Sequence, residues 1–413
     1  MTRGLQHIRR SALWTMTALV TACGGSGGGG APVIAPFWVS GGVVVSDLDG
    51  DGRADVAVAR TYVAAPPPHP GVVEVRLQTA PGQFTPLQRY PVAADPWVLA
   101  VGDVNSDGLD DLLSASPLTA PVPINAVGDS GAVAVLRQLA ASPGRFDAAQ
   151  VLATGGVAND VAVSEVTGNG RPDVLVADGV SANSRALLLA QQPAPGSFAS
   201  PQPVCAGSGA GWSALAVGDL DGDGQPDLAG VGGGALWWCR GLGGGAFAVP
   251  AFLGTGVALV GLVLADLDAD GRLDAIAADA GHSPAGGTGA AAVRWWRQTA
   301  PGVFAAQSLA VADGARRVVV RDLNQDGRVD MAVISTVYQT QANSTRIGVL
   351  LQSASVVGAF DVAQVWEGPD GGGFIAAGDV TGDGRPDIVV DGPTVYPQSG
   401  AAAGAFLPGF VLP

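Results

Sequence analysis

The sequence predicts an all-β protein, a seven-bladed β-propeller of four-stranded antiparallel blades. Three observations predict it. An acidic nine-residue pattern, D-x-D-x-D-G-x-x-D or a close variant, recurs seven times. A turn ending in Phe follows each copy, in phase with it. Between these landmarks lie short apolar runs of strand length, and no stretch holds a helical period long enough to compete.

The acidic copies start at Asp47, Asp103, Glu165, Asp219, Asp266, Asp322 and Asp379, spaced by 56, 62, 54, 47, 56 and 57 residues. The Phe turns end at Phe84, Phe146, Phe198, Phe247, Phe304, Phe360 and Phe406. Each unit reads as four strands, A to D. Strand A precedes the acidic loop, as in Val98-Leu99-Ala100-Val101. Strand B follows it, as in Val174-Leu175-Val176. Strand C precedes the Phe turn, as in Val293 to Trp296, and strand D is expected to start at the Phe. A linear solenoid of calcium repeats would have a period nearer nine residues, whereas units of roughly 50 match propeller blades. A single blade cannot bury both faces; stacking neighbours around an axis does so and leaves only short outer edges. The propeller is placed at residues 35–413, each blade complete in chain order, so the ring closes without a strand borrowed from the far terminus.

Composition fits this architecture. The chain of 413 residues has 62 Gly and 29 Pro, which favours many turns over long helices. It has no Lys and a formal net charge of −15, which excludes a phosphate-backbone partner such as nucleic acid. Carboxylates at positions 1, 3, 5 and 9 of the seven loops account for 23 of the 36 acidic residues. Like charges so clustered repel unless a cation joins them.

Calcium suits these loops, because it takes six to eight oxygen ligands. Asp at positions 1, 3 and 5 can turn inward, position 7 offers a carbonyl, and the carboxylate at position 9 closes the site. The expected ligands are Asp47, Asp49, Asp51 and Asp55 in loop 1; Asp103, Asn105, Asp107 and Asp111 in loop 2; Glu165, Asn169 and Asp173 in loop 3. They continue as Asp219, Asp221, Asp223 and Asp227 in loop 4, and Asp266, Asp268, Asp270 and Asp274 in loop 5. Loops 6 and 7 offer Asp322, Asn324, Asp326 and Asp330, then Asp379, Thr381, Asp383 and Asp387. Up to seven calcium ions are expected, with loop 3 the weakest site. Position 6 is Gly in all seven copies, from Gly52 to Gly384, which implies a backbone requirement. Position 12 is never Glu, so these are not EF-hand loops. Zinc or copper would want His or Cys, which the loops lack.

With these loops and the Gly-Ala-Phe or Pro-Gly-x-Phe turns, the chain resembles FG-GAP/VCBS repeat proteins, including the integrin α-like N-terminal propeller. The resemblance implies structural calcium in the A–B loops and a role in adhesion, sugar binding or larger enzymes. The N-terminus adds a second resemblance. Arg3, Arg9 and Arg10 precede a short apolar stretch, and Val20-Thr21-Ala22-Cys23 is similar to the lipobox of bacterial lipoproteins. Residues 1–22 are then a signal peptide, and 23–34 are a lipidated Cys23 with a glycine-rich tether. The expected location is the bacterial envelope or cell surface, at the outer membrane where there is one, with membrane contact only through the lipid. Cys205 and Cys239 are open to either a disulfide or free buried thiols.

Strand direction puts the A–B loops and C–D turns on one face, and the B–C and D–A connections on the other. The second face is the expected ligand face. It carries the long B–C loops near 62–71, 117–131, 280–289 and 336–345, and the candidate contacts Trp97, Asp160, Trp212, Arg316, Arg317 and Phe374. Its aromatics could instead plug the central channel. No nucleophile elbow, phosphate loop or zinc motif is present. The expectation is a monomeric protein- or glycan-binding module. The alternative is a polysaccharide lyase or hydrolase using Asp160, Arg316 and Arg317 near the axis.

Overall fold

In a computed structural model, the structure describes residues 37–63, 69–117, 131–179, 186–207, 211–281, 292–310, 314–338, 343–369 and 373–413. The signal peptide, Cys23 and its tether, His282 and most of the long B–C loops lie outside the described residues. The described residues are all-β and contain no helix long and apolar enough to cross a membrane.

Seven four-stranded antiparallel sheets follow one another along the chain, each built from four strands in order A-B-C-D. The A strands are Phe37–Ser46, Val98–Gly102, Ala158–Ser164, Ala214–Gly218, Leu259–Ala265, Gly314–Arg321 and Ile375–Gly378. Each touches the A strand of the next blade, and the first touches the last, so they form an inner ring. Among the described residues, no strand crosses from one terminus into the other's blade. The B strands are buried almost throughout, as in Asp173–Asp178 and Asp274–Asp279, because both of their faces meet neighbouring blades.

The Phe turns depart from expectation. In blades 1, 2 and 4 the end of strand C pairs with the Phe segment as a separate two-stranded hairpin, and strand D starts several residues later. Blades 3 and 7 reduce this hairpin to single bridges, Gln191 with Phe198 and Gln398 with Phe406. Only in blades 5 and 6 does strand D run from the Phe region, as Val303–Ala310 and Phe360–Glu367. With or without the bend, the Phe packs on the preceding blade. Phe304 meets Trp238 at 6.3 Å, Phe360 meets Trp295 at 6.2 Å, and Phe406 stacks on Trp366 at 5.8 Å. Trp295 and Trp296 are both buried, one towards blade 6 and the other against blade 4.

A repeated contact joins the blades. The residue ending strand C is Gln in six blades: Gln78, Gln138, Gln191, Gln298, Gln352 and Gln398. In five of them the side-chain amide donates to the carbonyl of the position 2 residue in the preceding blade's acidic loop. The pairs are Gln78–Val380, Gln191–Val104, Gln298–Leu220, Gln352–Leu267 and Gln398–Leu323. Gln138 instead donates to the Asp110 carbonyl of its own blade, where Tyr90 and Phe146 meet across the seam at 5.4 Å. Blade 4 has Gly241 at this place, and the backbone N–H of Gly245 donates to the Val166 carbonyl at 2.8 Å.

Candidate functional site

Each acidic loop is a tight turn shaped by its own carboxylates. The position 1 side chain accepts hydrogen bonds from the amides across the turn: Asp47 from Gly50, Asp51 and Gly52, and Asp219 from Gly222, Asp223 and Gly224, at 2.7–3.2 Å. Position 5 accepts from the amide of position 7, as Asp326 does from Arg328 at 2.9 Å. The position 9 carboxylates (Asp55, Asp111, Asp173, Asp227, Asp274, Asp330 and Asp387) are fully buried. One oxygen of each accepts a backbone amide at the loop's start, and the other accepts the amide of the residue ending strand C. In blade 1 these are Leu48 at 2.8 Å and Gln78 at 2.7 Å. Position 9 therefore ties three strands together as well as facing the loop.

The position 2 side chains Leu48, Val104, Val166, Leu220, Leu267, Leu323 and Val380 are buried beneath the turn. They anchor the loop in the core while its odd-numbered side chains stay on top. The C–D turn of the next blade covers position 3. A methyl group on Gly144 would lie 3.1 Å from the Asp49 Cβ, and one on Gly404 would lie 3.3 Å from the Asn324 Cβ.

In loops 1, 4 and 5 three carboxylates converge. Asp47, Asp49 and Asp55 bring one oxygen each within 4.8 Å of one another, as do Asp219, Asp221 and Asp227, and Asp266, Asp268 and Asp274. Two oxygens at opposite sides of one calcium ion are about 4.8 Å apart, since each lies about 2.4 Å from the metal. The donor set therefore fits a hard divalent cation. Position 5 is not part of these triads. Asp51, Asp270, Asp326 and Asp383 each pair with the Arg two residues on, and Asp223 pairs with Arg240 at 2.8 Å. In loop 5 the buried Asp268 has one oxygen, Oδ1, without a hydrogen-bond partner, while Oδ2 forms an ion pair with Arg297.

Electrostatics bears the mark of the crowding. Burial, outweighing the backbone hydrogen bonds, pushes Asp55 up to about 7 and Asp111 and Asp274 up to about 6. Burial and then the neighbouring Asp51 raise Asp49. A carboxylate held above its ordinary range for want of solvent is one that a cation would restore to the ionised form.

On the opposite face the candidate residues separate into two groups. Trp97, Phe374, Arg317 and Asp160 meet over the axis. Trp97 is edge-on to Phe374 at 5.3 Å, and the Arg317 guanidinium lies 5.0 Å from the same ring. Arg317 also donates to the Val260 carbonyl, while Asp160 accepts the Leu215 amide at 3.2 Å. Burial raises Asp160 and lowers Arg317, and their mutual attraction opposes both shifts. Side chains from blades 2, 3, 6 and 7 thus close the channel towards this face. Phe374 is 7% exposed while Trp97 is 42% exposed and open to solvent. Arg316 donates to Thr336 at 3.1 Å. Trp212 corrects the sequence expectation. It is fully buried, wedged between blades 3 and 4 over Gly230, because Gly230 leaves the space its ring fills.

One pair on this face went unnoticed in the sequence. His69 Nδ1 lies 3.1 Å from Asp95 Oδ1, and Asp95 takes a left-handed backbone conformation at φ 50° two residues before Trp97. On the acidic face, a cleft of about 620 Å³ opens between loops 1 and 7, lined by Asp47, Arg53, Gln78, Pro81, Arg321 and Asp379 among others.

The family comparison agrees with this geometry. FG-GAP-like repeats match at residues 47–114, 165–230 and 219–277, and an FG-GAP repeat matches at 96–136. The described residues form a β-propeller that carries FG-GAP repeats at these positions. Among solved structures it is similar to an Agrocybe aegerita lectin described for recognition of non-reducing terminal N-acetylglucosamine, at 17% identity and a TM-score of 0.51, over 90% of this chain and 93% of that one. It is also similar to an exotype rhamnogalacturonan lyase, at 13% identity and a TM-score of 0.50, over 86% of this chain and 70% of that one. At such identity the likeness is one of fold. No curated protein matches the chain.

Proposed function

We propose that this propeller is a calcium-stabilised binding module of the bacterial surface, tethered through a lipid on Cys23, that holds protein or glycan on the face opposite its acidic loops. The observation that carries the calcium part is the convergence of three carboxylates in each of loops 1, 4 and 5. Loops 2, 6 and 7 keep two or three of the same groups and take weaker ions, and loop 3 the weakest. The ions are structural: each offsets most of the charge of carboxylates that otherwise repel, and clamps the A–B hairpin on which the next blade's turn rests. The binding part rests on Trp97, a large aromatic exposed at the axis of a rigid ring.

Two measurements test this reading. Melting of the full chain in saturating calcium is expected to exceed that in EGTA by several degrees, since each site filled at 100 times its dissociation constant adds about 2.7 kcal/mol; identical curves would refute the calcium part. A glycan array and a pull-down with the calcium-loaded chain test the binding part, with loss of capture in Trp97→Ala expected. A second reading, a polysaccharide lyase, is favoured by the His69–Asp95 pair beside Trp97, since a carboxylate that orients an imidazole makes it a general base. New unsaturated ends in a bound polysaccharide, abolished in His69→Gln, would select it.

A further inference from the structure

Among the described residues, six of the seven seams between blades are held by packing and hydrogen bonds, with no covalent bond across them. The seam between blades 3 and 4 is different in four ways. It alone lacks a glutamine at the end of strand C, having Gly241 there. A side chain cannot be added at Gly241, where a methyl group would lie 2.3 Å from the Pro226 carbonyl oxygen. Two residues earlier on strand C, the other blades carry large groups that reach the outer strand of the preceding blade. Trp296 fills the space over Gly254, Tyr396 meets Trp366 at 5.2 Å, Leu350 shares a core cluster with Leu309, and Arg76 donates to the Pro413 carbonyl at 2.7 Å. Blade 4 has the small Cys239 at this place, joined in a disulfide to Cys205 beside the outer strand Gln202–Val204 of blade 3. Finally, Cys205 itself takes a left-handed backbone conformation at φ 52°, which a non-glycine residue holds only when something fixes it.

We infer that the Cys205–Cys239 disulfide replaces the large side chain at this seam, where the Gly245 amide takes the latch's place on the Val166 carbonyl, and that it makes the seam between blades 3 and 4 a redox-sensitive gate in the ring. With the bond intact the outer strand of blade 3 is fixed to strand C of blade 4. A dithiol reductant attacks one sulfur through its thiolate, forms a mixed disulfide, and then closes its own ring disulfide. Two electrons and two protons pass to the pair, leaving two thiols. Each thiol is then a small side chain with no partner long enough to bridge the gap. Trp212 still wedges the inner part of the seam, so opening is confined to its outer half.

Hydrogen exchange followed by mass spectrometry on the full chain tests this, with thiol labelling to confirm reduction. After treatment with dithiothreitol, exchange is expected to rise roughly tenfold or more in Gln202–Val204 and Ala235–Cys239, while the other six seams keep their protection. Cys205→Ala/Cys239→Ala should reproduce that pattern without reductant, which covers the case in which the buried sulfurs resist attack. Cys205→Gly/Cys239→Leu supplies the glycine and large apolar side chain used at other seams, and should restore protection while removing the response to reductant. Uniform loss of protection around the ring, or unchanged exchange at this seam in the double alanine variant, would overturn the inference. So would failure of the glycine–leucine variant to fold better than the double alanine variant.

Discussion

Gly327 and its counterparts at position 6 hold φ between 75° and 86°, and a methyl group placed on any of the seven would meet nothing within 4 Å. The requirement there is conformational, not steric: an L side chain is strained in the left-handed region even with open space around it. Gly327→Ala should therefore cost about 1–2 kcal/mol, measured by urea denaturation; a cost near zero would mean the turn relaxes to another conformation. A second residue offers a test with pH. Asp391 is buried at the end of strand B in blade 7, where it accepts the amides of Gly373 and Phe374, and burial pushes it up to about 7. A carboxyl that holds its proton more tightly folded than unfolded contributes stability that is full below its ordinary value of 3.8 and is lost as pH rises through about 7. Asp391→Asn keeps an acceptor and never ionises. It should match the parent near pH 4 and exceed it by a few kcal/mol near pH 9; thermal melts in EGTA across that range would show it, and parallel curves would refute it.

At the scale of the element, the acidic loop, the end of strand C and the next blade's turn form one unit. Position 9 fastens the loop to the end of strand C, and the latch from the next blade fastens the same loop from outside. Gln352 shows the connection most directly, with its backbone N–H on Asp330 at 2.8 Å and its side chain on the Leu267 carbonyl at 2.6 Å. Gln352→Leu leaves that carbonyl buried without a donor and should cost about 1–3 kcal/mol, read as a lower urea midpoint with the slope unchanged. An unmoved midpoint would mean water takes the amide's place. Much of this was legible in the sequence and some was not. Asp at alternate positions and Gly at position 6 announce themselves, because a turn and a set of convergent oxygens admit few other residues. The glutamine recurs just as regularly, yet a polar residue at a strand end reads as solvent-facing, and only the placement of the preceding blade reveals its acceptor. Strand D starts at the Phe turn in blades 5 and 6 but later in the other five, because the Phe satisfies a strand pattern while also serving as a wedge into another blade. His69 and Asp95 are 26 residues apart, and no local spacing brings them together.

For the whole molecule, ring closure falls on contacts alone, because each blade is complete in chain order. The closing seam, between blades 7 and 1, is also charged. Glu74 is 2% exposed and holds three arginines: Arg60 Nε at 3.2 Å, Arg89 Nε at 3.0 Å and Arg76 Nη1 at 3.5 Å. Arg60 acts on the buried Asp391 of blade 7, and Arg76 reaches the Pro413 carbonyl. The seam thus depends on one carboxylate that offsets three cations, two of which have little solvent to fall back on. Removing it leaves those cations crowded together on blade 1, beside the joint that closes the ring. Glu74→Ala should cost about 3–5 kcal/mol, the range for breaking a buried pair from one side. The first proteolytic cuts should then fall in blades 1 and 7, and added salt should recover part of the loss by screening the arginines. A cost below about 1 kcal/mol, the range of an exposed pair, would mean that water already compensates these charges and that the apolar core around Val56, Val58 and Val389 closes the ring unaided.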